Sequence, residues 1–265
     1  MSKLLSLPMY DIHHADTEAL LAALRQLLTE EGLAGDEVVY VQPEDRLSHW
    51  RSPQLLLSQT CGYPLQALLP EVQIVGTFHY QATGCESFRY SSHLVVREAD
   101  AAKTLADFRD RRVAANSDDS QSGYHSLRSL VAPLHQKGRF FSEIVFSGSH
   151  RESLAAITAN KADIAAIDAV TWALVSQHEP ERVAGLVSIG STSPVPGLPM
   201  ITAAQTPPET LQALRRVLRR LVSEPAWRDA REALLIKDFT VTTREDYHAI
   251  TQAAQQAGNS GLLTL

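Results

Sequence analysis

Residues 113–131 read Val-Ala-Ala-Asn-Ser-Asp-Asp-Ser-Gln-Ser-Gly-Tyr-His-Ser-Leu-Arg-Ser-Leu-Val, and this stretch decides the fold. Residues 113–115 are a short apolar run, a polar turn follows, and Leu127, Leu130 and Val131 then recur at the spacing of one helical face. That is a strand, a turn and a helix opening near Ser122. Working outward, the same grammar repeats. Upstream, a strand over 4–9 precedes a helix capped by Asp16, with Leu20, Ala23, Leu24, Leu27 and Leu28 on one face and Gly32 at its end. Strands are expected over 38–41, 55–58, 72–78 and 92–97, with helices over 63–69 and 104–108. Downstream come strands over 144–146, 164–167 and 186–189, alternating with helices over 151–160 and 170–177. A Pro/Gly/Ser-rich connector over 190–199 leads to a strand over 200–202 and helices over 208–222, 227–234 and 246–257.

Alternating strands and helices predict an α/β protein with mixed, mostly parallel sheets, in which ligands sit at the carboxyl ends of strands. At 265 residues the chain is long for one unit and comfortable for two. The final helices need a sheet to cover, so the expected division is lobe 1 from 1–92 plus 193–265 and lobe 2 from 93–192. Two crossovers and a cleft between the lobes follow from it.

Composition narrows the function. Hydrophobic residues are 44% and charged residues 20%, the balance of a folded protein able to bury a core. A net charge of −6 supplies no global positive field, which argues against nucleic acid or an anionic membrane surface as partner; any anion must be held by a local site. The apolar opening over 4–9 is broken by Pro8 and ended by Asp11, too short for a secretory core, so the chain as written reads as cytoplasmic. No apolar run is long enough to insert in a membrane. Cys61 and Cys85 are expected as free thiols, because buried unpaired cysteine is common; a disulfide between them would need an oxidising compartment.

The chemistry concentrates in strand-end turns. A helix start leaves N–H groups unpaired and carries partial positive charge, so a turn of small residues lets an oxyanion approach those donors. Ser120, Gln121, Ser122, Gly123 and Tyr124 make such a turn, with Ser120 and Ser122 adding hydroxyl donors. Ser and Asp are equally the residues of an ordinary N-cap. The Lys and final Ser/Thr of a Walker loop are missing. Ser147-Gly148-Ser149-His150 repeats the arrangement, with His150 able to donate to an anion. Asp168 ends a buried apolar run, where it either caps the next helix or accepts a hydrogen from a protonated P–O–H group. Residues 59–64 form a third polar strand-end turn, contributing Thr60 and Tyr63. Tyr10, Trp50, Tyr63 and Tyr90 are candidate pocket walls, or simply core. Cys61 precedes a helix, but no cysteine-hydrolase signature surrounds it. The adjacent His13 and His14 lack partners at ligand spacing, and neither metal nor cofactor is expected.

Taken together, residues 55–64, Ser120-Gln121-Ser122-Gly123-Tyr124, Ser147-Gly148-Ser149-His150 and residues 162–168 resemble the PhnD-like phosphate/phosphonate-binding periplasmic solute-binding family. The resemblance spans roughly residues 4–250. It implies a two-lobed type 2 periplasmic-binding fold with a double crossover hinge. It also implies a small oxyanion ligand, delivery to an ABC permease, and no catalysis. The resemblance assigns Ser120, Gln121, Ser122 and Gly123 to the phosphonate oxygens and His150 and Asp168 to the pocket. Tyr10, Trp50 and Tyr90 match the first-lobe aromatics. Gln121 stands where the family's binding loop often has Thr. A periplasmic location requires a leader ahead of this start. Alternative readings are a cytoplasmic ligand sensor, or a small-molecule enzyme using His150, Cys61 or Asp168 on the same scaffold.

Overall fold

In the computed structural model, which describes residues 3–33 and 38–265, the chain forms two units, each with its own sheet. Met1 and Ser2, which precede the apolar opening over 4–9, lie outside the described residues. One unit comprises residues 1–81, 86–89 and 196–247, and the other residues 82–85, 90–195 and 248–265.

The first unit is built on a six-stranded sheet whose order is Ile236–Thr240, Gln73–Tyr80, Pro199–Thr202, Leu55–Gln59, Lys3–Leu5, Val38–Tyr40. Lys3–Leu5 pairs in parallel with both its neighbours, while Pro199–Thr202 and Ile236–Thr240 enter antiparallel. Leu55–Gln59 is buried at every residue, as expected of an apolar strand covered on both faces. Helix His14–Glu30 buries Leu20, Leu21, Ala23, Leu24, Leu27 and Leu28 along one stripe and packs against helix Pro208–Ser223. Its N-cap is His13, without a side-chain cap bond; Asp16 falls in the first turn, where a carboxylate suits the positive end of the helix. The strand expected over 4–9 shortens to Lys3–Leu5.

The second unit has a five-stranded sheet in the order Leu186–Ser191, Ser92–Arg97, Ile164–Asp168, Arg112–Ala115, Glu143–Phe146. The last three strands are mutually parallel, and Ser92–Arg97 joins them antiparallel. Its core gathers Leu94, Val96, Phe108, Val113, Leu127, Val131, Phe140 and Ile164, together with Ala257, Leu262 and Leu265 from the end of the chain.

That last group corrects the expected division of the chain. Residues 193–265 were assigned to the first lobe as a block, whereas 248–265 belong to the second unit. The reason is a specific dock: Arg128 donates to the carbonyls of Ala254 (3.2 Å) and Leu262 (2.8 Å), and Leu263 N–H donates to Gly138 O at 2.9 Å. The strand Ile236–Thr240 had no counterpart in the sequence expectation. Lys237 and Asp238 at its centre are exposed, and its register slips between Ile236 and Asp238, which breaks the alternation by which strands are read. Among the described residues, no helix is long and apolar enough to cross a membrane.

Candidate functional site

The second unit brings three strand ends to one edge. Arg112–Ala115 runs parallel to Glu143–Phe146 on one side and to Ile164–Asp168 on the other, so the turns after residues 115, 146 and 168 leave together. Ser147 N–H donates to Ala115 O and Gly148 N–H to Asn116 O, both at 2.9 Å, which locks the first two turns side by side.

Ser120 opens the helix after residue 115. Its Oγ accepts from Gly123 N–H at 3.1 Å, and its carbonyl receives N–H groups from both Tyr124 (3.2 Å) and His125 (3.0 Å). The bond from His125 spans five residues, so the first turn is a widened π-turn over Gln121–His125 before Ser126–Val131 continues as α-helix. Ser120, Gln121, Ser122 and Gly123 are all buried. Ser122 Oγ lies 2.8 Å from His150 Nε2 and 3.5 Å from Ser120 Oγ, and its carbonyl accepts from Ser92 Oγ at 3.0 Å. His150 starts helix His150–Thr158, whose N-cap Ser149 accepts from Glu152 N–H at 3.2 Å. Burial pushes the His150 imidazole down to about 4, so it is neutral at pH 7. Hydroxyls, main-chain N–H groups and a neutral imidazole therefore meet at one place, and an arrangement of this kind binds oxyanions through dipoles.

The remaining expected residues are placed as follows. Gln121 donates from Nε2 to Ser126 Oγ at 2.9 Å, within its own helix. The Tyr124 ring stacks on Phe146 with centroids 6.2 Å apart, and its hydroxyl sits 3.4 Å from Thr264 Oγ1. Asp168 is 2% exposed, and its Oδ1 accepts from Val170 N–H (2.8 Å) and Thr171 N–H (3.1 Å) as the cap of helix Ala169–His178. It pairs in register with Ser92, the residue that holds the Ser122 carbonyl. Ser92 escaped the sequence reading, because a serine opening an apolar strand carries no local signal. Tyr90, expected among the first-lobe aromatics, is instead buried in this second unit, because it leads directly into the strand Ser92–Arg97 of that unit's sheet. Burial, with the nearby Asp168 carboxylate, drives the Cys85 thiol up to about 12, far from a nucleophile's range.

In the first unit, Tyr10 packs edge-on against Tyr80, centroids 5.1 Å apart. Trp50 Nε1 donates to Ser58 Oγ at 3.3 Å, and Ser58 continues to Ser6 Oγ at 2.7 Å, making Trp50 part of a buried polar chain. Thr60 is fully buried and donates its N–H to Pro199 O at 3.0 Å, while Tyr63 is half-buried on helix Gly62–Ala67. Cys61 and Cys85 are both free thiols.

Two α/β units of this topology define a periplasmic binding-protein fold, and solved structures agree over nearly the whole chain. A binding-protein component of an ABC phosphonate transporter from Pseudomonas aeruginosa superposes with a TM-score of 0.79 at 14% identity, covering 100% of this chain and 91% of that one. A phosphonate-binding protein from Prochlorococcus marinus in complex with methylphosphonate gives 0.77 at 16% identity, covering 97% and 98%. A Xanthomonas citri protein bound to ATP gives 0.73 at 17% identity, covering 98% and 99%. No curated protein matches the sequence. Residues 69–247, well over half of the chain, match the family described as ABC transporter, phosphonate, periplasmic substrate-binding protein, and the chain belongs to that family. It is thus a solute-binding protein of the phosphonate-uptake type.

Proposed function

We propose that the chain captures a phosphonate or phosphate through Ser120, the His150-backed hydroxyl of Ser122, and the first N–H groups of the turn, those of Gln121 and Ser122, and passes it chemically unchanged to an ABC permease on the periplasmic side of the membrane. The observation that carries this reading is the 2.8 Å contact between Ser122 Oγ and His150 Nε2, which joins two strand-to-helix turns into one cluster of donors. For Ser122 to donate to an anion, His150 supplies its Nε2–H to the Ser122 oxygen and leaves the Ser122 O–H pointing at the ligand. The donors are neutral, so affinity comes from their number and their fixed geometry.

A hydrogen bond to a charged group is worth about 1.5–3 kcal/mol, so Ser122→Ala weakens methylphosphonate binding roughly 10- to 100-fold in isothermal titration calorimetry. Ser120→Ala produces a similar loss together with about 1 kcal/mol of stability, because Ser120 is also the helix cap. Phosphorus NMR of the bound ligand recovers the starting compound. Unchanged affinity in Ser122→Ala would remove the turn from the site.

A further inference from the structure

Gly123 has no side chain for a reason that lies seven residues upstream. A Cβ built on it would sit 1.9 Å from Asn116 Oδ1 and 3.2 Å from His150 Cε1. The Asn116 carboxamide therefore occupies the space a side chain at 123 would take, directly against the turn that carries Ser120 and Ser122. Asn116 is held there from its main chain, since its carbonyl accepts from Gly148 N–H at 2.9 Å.

Asn116 Oδ1 is a buried acceptor with no hydrogen-bond partner among the described residues. Leaving such an atom unpaired costs about 1–3 kcal/mol, which an apolar side chain filling the same space would avoid. The neighbouring polar groups are already engaged: Ser120 Oγ by Gly123 N–H, Ser122 Oγ by His150, and Gly148 N–H by Asn116 itself. Asp168, the carboxylate first considered for a protonated ligand, spends Oδ1 on two N–H groups of its own helix. What Asn116 Oδ1 lacks is a hydrogen-bond donor, in a place where the Ser120 and Ser122 hydroxyls have theirs to offer to an anion.

A singly protonated phosphonate or phosphate meets both demands at once, with ionised oxygens for the hydroxyls and N–H groups and one P–O–H for an acceptor. A sulfonate or sulfate offers only the former. Building on the reading of the turn as an oxyanion receptor, we propose that Asn116 is a specificity-determining residue. Its Oδ1 accepts the P–O–H hydrogen and selects phosphonate and phosphate monoanions against sulfonates and sulfate.

The test compares methylphosphonate with methanesulfonate, tetrahedral anions of the same shape, by calorimetry at mildly acid pH where both carry a single charge. The wild type prefers methylphosphonate by about 100-fold or more, as sites with a dedicated polar partner reject analogues lacking it. Asn116→Ala narrows that preference at least tenfold, while Asn116→Asp, which keeps an acceptor of the same shape, retains it. Thermal unfolding without oxyanion verifies that each variant is folded, and Asn116→Asp decides alone if the alanine variant is not. Equal weakening of both anions by Asn116→Ala, or loss of the preference for methylphosphonate over methanesulfonate in Asn116→Asp, whose added charge acts on both anions alike, would overturn the assignment while leaving the receptor intact. Failure of the wild type to bind either anion would overturn the receptor and Asn116's part in it.

Discussion

Gly123 shows how one missing methyl group shapes a site. Its backbone φ lies outside the left-handed region, so its need is purely steric, set by Asn116 and His150. Gly123→Ala therefore strains the turn, destabilising the protein by roughly 1–3 kcal/mol, and weakens oxyanion binding more than tenfold. In urea unfolding, Asn116→Ala combined with Gly123→Ala recovers at least about 0.5 kcal/mol relative to the sum of the single changes, because truncating Asn116 makes room for the new methyl. Strict additivity would mean that the two residues do not meet. The passage over 113–131 announced Ser120, Ser122 and Gly123 through their chemistry at a helix start. Asn116 stood in the same passage without announcing anything, because its significance is a contact made only after the turn has closed. Ser92 was hidden for the same reason: its hydroxyl acts on a carbonyl 30 residues away.

At the scale of elements, periodicity located the long helices and most of the strands, since an apolar stripe or run records that a segment has something to bury, while the short helix Arg46–Trp50 and the two-residue strands Cys85–Glu86, Arg89–Tyr90 and Val195–Pro196 are too brief to show one. It does not record against what. Helix His248–Asn259 carries an apolar face and was assigned to the first lobe, yet it packs on Ser126–Val131 in the second unit. The chain end beyond it distinguishes the two neighbouring leucines: Leu262 is 1% exposed within the core and Leu263 is 84% exposed. Leu262→Ala lowers unfolding free energy by about 2–5 kcal/mol in denaturant titration, and Leu263→Ala stays within about 0.5 kcal/mol. Equal effects from both would mean that the tail is not docked as described. The edge strand Ile236–Thr240 was illegible for a different reason, because two exposed charges at its centre erase the pattern.

Over the whole molecule, buried histidines make stability depend on acid in a defined window. Burial pushes His150 down to about 4, and burial aided by Arg128 does the same to His125, against an ordinary value of 6.5. Between those values the unfolded chain holds protons that the folded chain does not. The stability contributed by keeping these rings neutral is therefore complete above pH 6.5 and is lost as pH falls towards about 4. Each proton taken up on unfolding tilts the free energy by about 1.4 kcal/mol per pH unit, so two histidines give a slope of up to roughly 2.7. Asp163 acts in a lower window. Burial raises its carboxyl, but hydrogen bonds from Arg112 and Arg97 outweigh that and bring it to about 2, so its contribution is lost only as pH falls below 3.8. Carboxylates of ordinary pKa titrate near 4, which leaves the span from 6.5 to about 5 to the histidines. Urea midpoints measured from pH 7.5 to 5 should fall steeply in the wild type and markedly less in a His125→Gln/His150→Gln variant, where neither ring remains to be protonated. His49, His79 and His93, also lowered by burial, remain in both proteins and set the residual slope. Parallel curves for the two proteins would show that these rings already accept protons in the folded state, and the neutral imidazole at the Ser122 contact would have to be abandoned.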